Sequence, residues 1–169
     1  YTLPILVYLG SDSFQIENEL EDFMSVGKSV GAACIRSINF MENCVYALES
    51  PGYLGIGGKI WDSTYVLLHY LGRPSNKNLV QGKRLIELGS GTGIAGLALA
   101  SLNPSSLMLT DLPEVVPLMK ENIRLNRILI GEHFEKQQCT RDAVEACEYS
   151  WGSSIIRNQD GNALGFDTI

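Results

Sequence analysis

From Lys83 onward, the apolar positions switch between short continuous runs and helical spacing. KRLIELG (83–89) is a nearly unbroken apolar run and predicts a buried strand, after which Gly93 to Leu102 carries small and apolar residues that predict a helix. SLMLTD (106–111) predicts a second strand and Pro113 to Asn126 a second helix, with Pro113 at the first helical position, where its missing N–H is harmless. A polar loop is expected around GEHFEKQQCTRD, and AVEACEYSW and ALGFDTI both read as strands. Upstream, DSTYVLLHYLG predicts a helix over about 62–71, with Asp62 or Ser63 as N-cap and Gly72 as its stop. Strands alternating with helices imply parallel strands and right-handed crossovers, hence an open Rossmann-like α/β sheet.

The first third of the chain is less regular. LPILVYLG, CIRSINF and NCVYALE read as strand-like runs, whereas SDSFQIENELEDFMSVGKSVG has no clear period. Residues 1–53 are therefore expected to form an N-terminal extension packed on a core of residues 54–169. SPGYLGIGG between them is rich in turn residues.

Composition narrows the class. A chain of 169 residues with 45% hydrophobic and 19% charged content suits one globular domain. A net charge of -6 and no basic block leave no surface built to neutralise nucleic-acid phosphates, so no nucleic-acid partner is expected. Cys34, Cys44, Cys139 and Cys147 form no C-x-x-C pair, and only His69 and His133 could join them as ligands. Reduced thiols in a cytosolic or nuclear protein are the expectation, with neither a metal site nor a disulfide framework. No apolar stretch approaches the roughly 20 residues of a membrane span, and TLPILVYLG lacks the basic flank of a signal peptide. No membrane association is expected, and a monomer is favoured. The chain opens on Tyr1 rather than Met and is expected to lack its true start.

LIELGSGTGIAG (85–96) concentrates the candidate chemistry. Gly89, Gly91 and Gly93 would turn the first strand into the first helix, letting a ligand approach bare backbone at the carboxyl end of the sheet. Asp111 ends the neighbouring strand, where an acid can accept hydrogen bonds from both hydroxyls of a ribose. TDLPE is equally a helix start that Asp111 would cap. Gly91 to Gly96 fits G-x-G-x-x-G with an acid 20 residues on, the form of a dinucleotide fingerprint. The frame E-L-G-S-G-T-G points elsewhere. Glu87 stands two residues before the first glycine, a carboxylate suited to a cofactor with a sulfonium and an amino-acid tail but no phosphates. Glu87 reads equally as a structural acid that caps neighbouring backbone.

LGIGGKIWDS, LIELGSGTGIAGLALA, LTDLPEVVPLMKENIRLN, YSWG and GFDTI, in that order, resemble the seven-strand S-adenosylmethionine-dependent protein lysine methyltransferases grouped as methyltransferase family 16. The resemblance runs from about Leu54 to the C-terminus. It implies a cofactor pocket lined by Trp61, Gly89, Gly91, Asp111 and Trp151, to which the local reading adds Glu87, Ser90 and Gly93. Asn122 and Asn126 also match the pattern and are read as helix-surface or loop-anchoring residues. The reaction implied is transfer of a methyl group to a lysine amine of a protein substrate. The family's D-x-x-Y-type motif after the fourth strand, which borders the acceptor, would fall beyond FDTI. The chain is therefore expected to be truncated at the start of strand 4, and no catalytic residue is assigned. Two other classes stay open: a small-molecule methyltransferase or nicotinamide-dependent oxidoreductase, and a non-catalytic cofactor-binding or interaction module.

Overall fold

The computed structural model describes residues 34–136, 144–153 and 165–167. LPILVYLG and the polar segment after it lie outside the described residues. A hairpin comes first, β1 (Cys34–Phe40) pairing antiparallel with β2 (Asn43–Glu49). A short helix α1 (Pro51–Leu54) and a 3₁₀ turn (Gly55–Gly58) lead to α2 (Asp62–Leu71). Then come β3 (Arg84–Leu88), α3 (Ile94–Leu99), β4 (Ser106–Asp111), α4 (Val116–Lys136) and β5 (Val144–Glu148). The last three strands form one parallel sheet in the order β3-β4-β5, with Leu88 opposite Thr110 and Asp111 opposite Glu148. This is the parallel α/β arrangement expected from the alternation of strands and helices.

β4 is the central strand of this sheet and the most deeply covered. Leu107 and Leu109 lie in one apolar cluster with Ile94, Leu97 and Ala98 of α3 and Met119 and Ile123 of α4. Ile38, Phe40, Val45 and Ala47 of the hairpin join the same cluster, so the hairpin shares the core of the sheet.

Among the described residues, the hairpin is held by two asparagines rather than by a third strand. Asn122 accepts the Leu48 N–H through Oδ1 (2.7 Å) and donates to Leu48 O (3.2 Å) and Thr92 O (2.8 Å). One turn further along α4, Asn126 accepts the Tyr46 N–H (2.9 Å) and donates to Tyr46 O (2.6 Å). Residues four apart on a helix rise about 6 Å, close to the two-residue repeat of a strand, so two side-chain amides can stand in for a neighbouring strand along the open edge of β2. Both asparagines are fully buried, which corrects their reading as helix-surface residues. Asn122 does anchor a loop, because Thr92 lies in the glycine turn.

Several boundaries move. Helix α2 occupies 62–71 as expected, but Trp61 is its N-cap and no side chain caps it, so neither Asp62 nor Ser63 plays that part. Pro113 lies in a turn closed by Val115 and Val116 N–H bonds to Leu112 O, and α4 starts only at Val116. The same helix runs through GEHFEK, where a loop was expected, because Glu and Lys sustain a helix whose apolar spacing has ended. Residues 165–167 are not a strand. Asp167 donates its N–H to Arg84 O (2.8 Å), and its carboxylate accepts the Arg84 N–H and guanidinium, pinning the segment beside the start of β3. Among the described residues, no helix is long and apolar enough to cross a membrane.

Candidate functional site

The parallel register brings the carboxyl ends of β3 and β4 side by side, and hydrogen bonds lock the turn after β3 onto the end of β4. Ser90 donates its hydroxyl to Glu87 O (3.0 Å) and accepts the Thr110 N–H (3.0 Å), while its own N–H reaches Thr110 O (2.9 Å). Thr110 Oγ1 closes the knot on Glu87 O (2.7 Å). Asp111 accepts the Gly91 N–H on Oδ2 (2.7 Å) and the Leu112 N–H on Oδ1 (2.8 Å). It holds the glycine turn rather than capping α4, which begins five residues later. Each of its oxygens keeps a second lone pair for a ligand.

A cavity of about 1220 Å³ opens over these strand ends. Its walls are the glycine turn, the segment Ile56–Trp61, the inner side of α2 and Tyr149–Trp151 after β5. Trp61, Glu87, Gly89, Ser90, Gly91, Asp111 and Trp151 all line it, so seven of the eight residues singled out from sequence converge on one cleft. Gly93 does not. It caps α3 at φ 75°, and a Cβ there would stand 2.8 Å from Leu109 Cδ1, so it lets α3 approach the sheet behind the cavity wall. Trp61 and Trp151 are 48% and 75% exposed, the opposite of core packing. The Trp61 ring is oriented by its Nε1–H bond to Ile56 O (3.0 Å).

Glu87 takes the structural role open to it from sequence. Its Oε2 accepts the Gly96 N–H (2.9 Å), tying the first turn of α3 to β3, and the residue also lines the cavity. Burial pushes its pKa up from 4.5 to about 7; the Gly96 hydrogen bond pulls the other way, and the nearby Asp111 carboxylate adds to the rise. A raised carboxyl pKa means that the folded protein binds the proton more tightly than the unfolded chain. Its contribution therefore lowers stability as pH climbs from about 4.5 to about 7, and is constant above that window. Glu87→Gln keeps an oxygen for Gly96 and removes the charge. The variant is expected to gain on the wild type as pH rises through this window, read as the difference between their urea midpoints at pH 5 and pH 8. A constant difference would show that Glu87 does not titrate there.

Sequence reasoning passed over two contributors, Lys59 and Glu49, and named a third, Asn122, among residues that anchor a loop. Lys59 lines the cavity with its Nζ 5.1 Å from the centroid of the Trp61 ring. Glu49, buried at the end of β2, accepts the Ile60 N–H (2.8 Å) and the Arg36 guanidinium (3.0 Å), holding the segment that carries Lys59 and Trp61. Asn122 supports the turn through Thr92. Single residues of this kind carry no local pattern, and only the fold shows what they touch.

A family model described as lysine methyltransferase matches residues 40–160. The protein-lysine N-methyltransferase EFM6 of Saccharomyces cerevisiae is 33% identical over 94 residues, covering 47% of this chain and 38% of the yeast protein. The protein-lysine methyltransferase METTL21E of Mus musculus is 30% identical over 113 residues, covering 67% of this chain and 42% of the mouse protein. The mouse EEF1A lysine methyltransferase 3 is 36% identical over 100 residues, 59% of this chain and 37% of its own length. The chain thus spans less than half the length of these relatives. With the matched region running from the end of β1 past Trp151 and taking in the whole glycine turn, the chain belongs to the lysine methyltransferase family.

Proposed function

We propose that this cleft binds S-adenosylmethionine and that the whole protein transfers the methyl group to a lysine amine of a protein substrate. The observation that carries the reading is the chemistry of the cleft wall. Its acids are Glu87, Asp111 and Glu114, and Lys59 is the one cation among the described residues that line it. The N–H groups of Ser90, Gly91, Gly93 and Gly96 already bond protein acceptors. A dinucleotide needs such amides, or basic side chains, for its pyrophosphate. An acidic cleft with these amides engaged suits a nucleoside whose reactive end is cationic, and Gly89 and Gly91 present bare backbone to it.

Asp111, at the strand end, is the group to accept the ribose hydroxyls, and Trp61 and Trp151 offer aromatic faces on either side of the glycine turn. Bound there, S-adenosylmethionine would supply an electrophilic methyl carbon on a sulfonium. The chain's own part is to fix that donor so that an incoming neutral amine meets it in line, which makes catalysis largely a matter of positioning. Lysine as the acceptor, and a protein as its bearer, follow from the names of the relatives.

Calorimetry with S-adenosylmethionine and, separately, with NAD tests the cofactor. Binding of the first and not the second is expected; preferential binding of NAD would overturn the reading.

A further inference from the structure

We infer that Lys59 takes up the carboxylate of the methyl donor's amino-acid tail, a role that rests on the cofactor reading above. S-adenosylmethionine carries two positive groups, the sulfonium and the tail ammonium, and one negative group, the tail carboxylate. Asp111 and Glu114, joined by Glu87 where it is ionised, complement the positive pair. They also repel the carboxylate, and an anion drawn from water into a cleft needs a partner. The glycine turn offers it less than its glycines suggest, because three of its N–H groups already have acceptors, Ser90 on Thr110 O, Gly91 on Asp111 and Gly93 on Ser90 O, and the Gly96 N–H of α3 bonds Glu87. Among the described residues lining the cavity, the Lys59 ammonium is the one cation that can meet it.

Its surroundings suit that task. The Lys59 ammonium forms no ion pair among the described residues and lies over the face of Trp61, a ring that also lines the cleft. The ring beneath it is fixed by Ile56 O, and the backbone around it by Glu49 on Ile60 and by the Ser50 N–H bond to Gly58 O (2.8 Å). Lys59 O lies 3.9 Å from where a Gly91 Cβ would stand, so this segment directly faces the glycine turn across the cleft. An amine on a braced support, opposite the turn and short of an anion, is arranged to meet one.

Three ligands separate this role from general support of the site. S-adenosylmethionine and S-adenosylhomocysteine carry the tail carboxylate; 5′-methylthioadenosine has the same nucleoside without the tail. Calorimetry on the wild type, Lys59→Met and Lys59→Arg is expected to show Lys59→Met binding the first two about 10- to 100-fold more weakly, with 5′-methylthioadenosine unchanged and Lys59→Arg recovering most of the loss. Unchanged binding of the tailed ligands by Lys59→Met would overturn the inference, as would an equal loss for all three, which would mean that Lys59 only supports Trp61. A wild type that binds none of the three would overturn the cofactor reading itself, and the inference with it.

Discussion

Asn122→Ala is expected to lower the stability of the protein by about 3 to 5 kcal/mol, seen as a large drop in the urea midpoint. The substitution removes one side-chain amide and orphans three backbone groups at once: the Leu48 N–H, the Leu48 carbonyl and the Thr92 carbonyl. Asn122 is fully buried, so water cannot readily replace what is lost, and each orphaned group costs about 1–3 kcal/mol of desolvation. Asn126→Ala is the milder companion. Its Tyr46 partners are only partly buried, and solvent can satisfy them in part. Because Asn126 also donates to Asn122 O (2.7 Å), the two substitutions should not add. A loss below about 1 kcal/mol in Asn122→Ala would mean that the hairpin is held by its apolar contacts and that the amide pairs are incidental. If the loss is large, ligand affinity should fall as well, since Thr92 belongs to the glycine turn that Asn122 supports.

That pair of asparagines also shows where sequence reasoning stops. Helix α2 and strand β4 were legible to the residue because their signals are local: an apolar run ends at a turn residue, and the chain does what its neighbours dictate. That the glycine turn and Asp111 come together was legible for a related reason, since both sit at strand ends and a parallel sheet must gather those ends on one side. Of the two readings of Asn122, loop anchor holds and helix surface fails: a polar residue in a helix normally faces water, and here it bonds a strand more than 70 positions earlier in the chain. Gly93 was placed in the cleft because alternate glycines look equivalent in sequence; Leu109 across the sheet makes this one a packing residue instead. The end of α4 and the conformation at 165–167 were missed for a third reason. Polar helix formers and short apolar runs fit more than one backbone, and tertiary partners such as Arg84 decide between them.

Gly91→Arg is expected to abolish measurable S-adenosylmethionine binding while leaving the fold intact, a loss of at least 100-fold or about 2.7 kcal/mol. Gly91 has φ 56°, where a side chain costs about 1–2 kcal/mol of backbone strain. Strain alone would not empty the cleft. A Cβ at this position would stand 3.1 Å from Gly57 O, with Lys59 O at 3.9 Å, so any side chain starts in tight contact with the backbone of the segment that forms the adjoining cleft wall. The long arginine side chain must either run along the cleft or push the Gly57–Trp61 segment outward, and both deny the ligand its place. The Gly91 N–H bond to Asp111 is also put at risk, and with it the orientation of the carboxylate assigned to the ribose. Gly82→Arg supplies the control: Gly82 has a similar φ of 70°, yet nothing lies within 4 Å of its added Cβ. Gly82→Arg should therefore bear the same strain and bind normally. Full affinity in Gly91→Arg would remove the glycine turn from the binding site; a matching loss in Gly82→Arg would trace the effect to backbone strain rather than to the cleft.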